Sequence, residues 1–141
     1  MRKGFIVLLV LVLATLIAAP VSAGGRPLST TLTGAAEAPN PGDPDGSGSA
    51  HITLNQGLGQ VCFDIVVDDV APITAAHIHA APAGVAGGVV VSFDVPANGL
   101  SGCVSADAVL IKAIRQNPLE YYVNVHNADF PAGALRGQLS K

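Results

Sequence analysis

Short runs in which apolar and polar residues alternate, broken at close intervals by glycine and proline, leave this chain little to fold into except strands. Successive side chains of a strand point to opposite faces, so alternation marks a sheet with one buried and one wet face. In 50–55, Ala50, Ile52 and Leu54 share one face, and His51, Thr53 and Asn55 the other. In 61–67, Val61, Phe63, Ile65 and Val67 oppose Cys62, Asp64 and Val66; in 121–126, Tyr121, Val123 and Val125 oppose Tyr122, Asn124 and His126. Leu28, Thr30 and Leu32 make a weaker first strand, and "AHIHA", "VVVSFDV" and "ALRGQL" make further short ones. The breaks "NPGDPDGSGS", "GLG", "PAGVAGG" and "FPAG" hold the residues that turns need. One segment, 105–118, departs from the pattern. Leu110, Ala113 and Ile114 recur at helical spacing, Ser105 is placed as N-cap with Asp107 in the first turn, Lys112 and Arg115 come late, and Pro118 stops the helix. The expected fold is all-β: an antiparallel β-sandwich of seven to eight strands in two facing sheets, with one short connecting helix.

The start of the chain places it outside the cytosol. Arg2 and Lys3 precede an uncharged run from Gly4 to Ala19, and Val21-Ser22-Ala23 offers small residues for a signal peptidase. Residues 1–23 read as a secretory signal and 24–141 as a single domain. The alternative, a retained anchor, is opposed by the shortness of the apolar run and by Pro20. No later segment is apolar for long enough to span a membrane as a helix. Removing Arg2 and Lys3 leaves 5 basic residues against 10 acidic ones, with no basic patch, which argues against a nucleic-acid partner. In an exported chain the two cysteines, Cys62 and Cys103, read as one disulfide, worth about 4 kcal/mol in the chain-entropy view. The absence of tryptophan speaks against stacking on carbohydrate.

The histidines carry the main chemical question. If Ile78 faces the core, His77 and His79 face away from it, and if Val123 and Val125 face the core, so does His126 face away. The three meet only if their strands are neighbours, where cross-strand partners sit about 5 Å apart. Three imidazoles suit copper or zinc; His51 is a candidate fourth ligand, and Asn124 and Asn127 are candidates to orient the rings. The competing reading makes these histidines ordinary polar residues on the outside of a sandwich. Asn40, Asp43 and Asp45 lack the later acidic residue of a calcium loop and read as a solvated turn. Glu37 and Arg136 form a structural ion pair if the first and last strands lie side by side. No G-x-S-x-G, free cysteine or phosphate-binding loop supports catalysis, and the chain is expected not to be an enzyme.

"AAHIHAAPAGVAGGVVVSF" followed by "YYVNVHNADFPAGALRGQL" resembles the CHRD domain family, named for chordin. The resemblance runs from about Leu28 to Leu139 and includes the paired cysteines. It implies an immunoglobulin-like Greek-key sandwich in an exported protein, periplasmic or secreted. The H-I-H strand also looks like the copper-site strand of Cu/Zn superoxide dismutase, but four histidines in all cannot furnish both of that enzyme's sites, so dismutase activity is not expected. The expected role is that of a non-enzymatic extracytoplasmic binding module for a protein or envelope partner. A histidine-based copper or zinc protein is the first alternative and a structural cell-envelope component the second.

Overall fold

The computed structural model describes residues 25–95 and 99–141; the segment read as a signal peptide, 1–23, lies outside them. Eight strands follow in order: β1 (Arg26–Thr33), β2 (Ser47–Asn55), β3 (Gln60–Asp68), β4 (Ile73–Ala80), β5 (Gly88–Phe93), β6 (Ser101–Ser105), β7 (Tyr121–Asn127) and β8 (Leu135–Gln138). One helix, α1 (Ala108–Gln116), links β6 to β7. The strands pair antiparallel in the order β5-β4-β7-β8-β1-β2-β3-β6. The sandwich expected from the alternation is present, with one difference in its making. Its two halves are joined into a single hydrogen-bonded sheet, because β8 pairs with β7 on one side and meets β1 at Thr33↔Arg136 on the other. The sheet then folds over itself, bringing β3 against the edge strand β5: Phe63 of β3 stacks on Phe93 of β5 with ring centroids 4.3 Å apart.

The predicted inward faces form the core. Leu28, Ala50, Ile52, Leu54, Val61, Phe63 and Ile65 come from one half, and Ile78, Val91, Val123, Val125 and Leu135 from the other, all buried. α1 contributes Ile111 and Ile114, which are fully buried. Its cap differs from expectation. Ser105 closes β6, and Asp107 is the N-cap, its carboxylate accepting from the backbone N–H of Val109 at 2.8 Å and of Leu110 at 3.2 Å. Cys62 and Cys103 stand directly opposite on β3 and β6 and are joined in a disulfide. No helix among the described residues is long and apolar enough to cross a membrane.

Candidate metal centre

On the outer face of β4, β7 and β8 His79, Asn124 and Arg136 are buried and His77, His126 and Gln138 half-buried. β4 lies beside β7 with His77 opposite Asn124 and His79 opposite Tyr122, and β7 lies beside β8 with Asn124 opposite Arg136 and Tyr122 opposite Gln138. Loops 81–87 and 128–134 close over this face. His79, Asn124 and Arg136 are consequently as buried as the core. Ile78, Val123 and Val125 fix the orientation, since their burial on the other face leaves the histidines no choice of side.

His77, His79 and His126 converge, each offering one ring nitrogen within 4.8 Å of the others. Among the described residues this is the group of potential ligands that comes together; His51, on β2, is not part of it and is exposed between the buried Ala50 and Ile52. Hydrogen bonds to carbonyls set the ring states. Nδ1 of His79 lies 2.9 Å from the Gly87 carbonyl oxygen and Nδ1 of His126 lies 3.1 Å from that of Pro131. A carbonyl can only accept, so both Nδ1 atoms carry the hydrogen and both Nε2 atoms keep the lone pair. His126 Nε2 accepts from His77 Nδ1 at 3.1 Å. His79 Nε2 is buried and has no hydrogen-bond partner within the protein. Burial holds the pKa of His77 down at about 4, helped by the charges His126 and His79 would carry. Burial likewise lowers His79 and His126, against the opposing pull of the Gly87 and Pro131 carbonyls. All three rings are neutral at pH 7, the state in which imidazole binds a metal.

The spacing of one pair in the cluster suits a small transition metal. Two nitrogens bound at about 2.05 Å to one tetrahedral ion lie about 3.3 Å apart, close to the 3.1 Å between His77 Nδ1 and His126 Nε2. An ion seated there would take the place of the hydrogen those two atoms share, and His77 would pass to its Nε2–H tautomer with no net release of protons. The Gly87 and Pro131 carbonyls already supply the outer hydrogen bonds that orient metal-bound imidazoles.

Other predicted residues have different surroundings. Asn124 donates through Nδ2 to Glu37 Oε1 and to the Leu135 carbonyl at 3.2 Å, and Asn127 Oδ1 accepts from the Phe130 N–H at 2.7 Å; neither holds an imidazole. β1 and β8 are neighbours as the Glu37–Arg136 pairing required, yet the hydrogen-bond partner of Glu37 is Asn124. The guanidinium is committed to the carbonyls of Val85 and Pro82 at 2.9 and 2.8 Å and to Gln138 Oε1 at 3.3 Å. Burial raises the Glu37 carboxyl to about 7, outweighing the nearby Arg136 charge that pulls it down. Asp43 folds its carboxylate onto the N–H groups of Asp45 and Gly46 in a local turn. Sequence reasoning passed over Tyr122, whose ring lies parallel to His79 with centroids 4.9 Å apart, and Gln138; alternation marked Tyr122 as outward-facing, Gln138 was given no face, and nothing local showed that a loop would cover them.

The family model for the CHRD domain matches residues 28–139. Among curated proteins and solved structures, none matches the chain significantly.

Proposed function

The chain belongs to the CHRD domain family, and from that premise we propose that it is an exported, non-enzymatic binding domain whose ligand is a copper or zinc ion held by His77, His79 and His126. Export is supported by the disulfide and by the signal-like start of the sequence. The observation that carries the metal reading is His79 Nε2. A buried lone pair without a donor costs roughly 1–3 kcal/mol, and this one belongs to a ring that offers a nitrogen within 4.8 Å of nitrogens of two further histidines. Structural histidines on the outside of a sandwich would be expected to satisfy both nitrogens or to meet water. The ligand set is all imidazole, with no thiolate to select a soft ion and no carboxylate to favour calcium or magnesium. Copper(II) and zinc(II) are the ions this set takes best.

Titration of the purified protein with zinc and with copper(II), beside a His77→Ala/His79→Ala variant, tests the reading. One equivalent bound tightly by the parent and lost from a variant that stays folded supports it. Equal behaviour of the two folded proteins makes the cluster structural and returns the search to protein partners.

A further inference from the structure

His79 is held in place by a loop that the neighbouring strands β7 and β8 secure. Its Nδ1 hydrogen goes to the Gly87 carbonyl, so the position of Gly87 decides which of its nitrogens keeps the lone pair. Gly87 belongs to loop 81–87, which packs little of itself: residues 82–86 are exposed, and every side chain between Pro82 and Gly87 other than Val85 is a methyl group or a hydrogen. Gly84 turns the chain at φ +76°, and Gly87 approaches β4 so closely that a Cβ there would collide with the Ala80 carbonyl. Such a loop has almost no hydrophobic burial to fix it, so its hydrogen bonds must.

Those bonds come from β7 and β8. Arg136 donates through Nη1 to the Val85 carbonyl and through Nη2 to the Pro82 carbonyl; Gln138 Nε2 donates to the Ala81 carbonyl at 2.7 Å. The Gly87 N–H donates to the Tyr122 hydroxyl at 3.1 Å. Tyr122 lies between the two ends of the chain of contacts: His79 stacks along its ring, and the Arg136 guanidinium carbon sits 3.5 Å from its ring centroid. Arg136 is 1 % exposed. Its planar fork reaches two carbonyls three residues apart through two separate nitrogens, where lysine offers one.

We infer that Arg136 is a positioning residue for the histidine cluster: by latching loop 81–87 to β8 it places the Gly87 carbonyl on His79 Nδ1 and leaves Nε2 free to bind the metal. The inference rests on the metal reading for its consequence, but its structural half can be read without any metal. Nitrogen-15 spectra of the imidazole rings in the metal-free protein at pH 7 report each tautomer. The parent should show His79 with hydrogen on Nδ1 alone. Arg136→Lys keeps the charge and loses the fork; in it the His79 signals should move to a mixture of tautomers while His126, tied to Pro131, keeps its own. Zinc affinity should fall roughly 10- to 100-fold in the same variant. Tyr122→Phe keeps the ring and removes only the hydroxyl that anchors Gly87, and Gln138→Ala frees Ala81; each should loosen the His79 tautomer in part, and both serve if Arg136→Lys does not fold. A His79 tautomer unchanged in every folded variant overturns the inference. If the parent itself binds no zinc, the metal reading fails while the tautomer result still decides the role of Arg136.

Discussion

Glu37 shows how one residue can work against the fold that surrounds it. Its carboxyl titrates near 4.5 in the unfolded chain and near 7 when folded, because burial costs the charged form more than Arg136 and Asn124 return. Between those values the folded state keeps a proton that the unfolded state has released. The contribution of Glu37 to stability is therefore intact below about pH 4.5 and is lost as pH rises through 7. The histidines act in the opposite direction: with His77 at about 4 when folded and 6.5 when unfolded, its contribution is lost as pH falls. Comparing the parent with Glu37→Gln cancels the histidine part, which both proteins share. Denaturant unfolding should show the variant gaining on the parent between pH 5 and pH 8; a stability difference that does not change with pH would mean that Glu37 is not held protonated. None of this was legible in the sequence. Glu37 followed a weak strand and suggested an ion pair, and its burial depends on loop 128–134 arriving from the other end of the chain.

At the scale of elements, the strands were legible and the helix start was misplaced for a physical reason. Ser105 and Asp107 are both good capping residues, and the choice depends on where β6 ends. The Cys62–Cys103 pairing and the bonds from β3 carry β6 through Ser105, so the chain is free to turn into a helix only at Asp107. Asp107→Ala should cost about 1 kcal/mol, read as a lower denaturation midpoint with unchanged slope, whereas Ser105→Ala should stay within about 0.5 kcal/mol. The reverse order of effects would move the cap back to Ser105. The histidine strands were legible in the same limited sense. Alternation put His77, His79 and His126 on outward faces, but the adjacency of β4 and β7 is a fact of topology, since residues 81–120 intervene between the two strands. The latch from Arg136 and Gln138 was less legible still: it needs β8 beside β7 and a loop with no pattern of its own folded over both.

The whole molecule explains how a histidine cluster can lie on the outside of a sandwich. Eight strands in one folded-over sheet bury an apolar core between its halves, and the outer face of β4, β7 and β8 is roofed by loops. A polar, desolvated layer results, with three neutral imidazoles at one end and a buried guanidinium at the other. Rings held by strand backbones are already oriented, which removes much of the ordering cost of binding. X-ray absorption at the zinc or copper edge of the loaded protein tests this account most directly. It predicts three imidazole nitrogens at about 2.0–2.1 Å, with one nitrogen fewer in His126→Ala. Oxygen-dominated coordination, or a spectrum indifferent to that substitution, would contradict it.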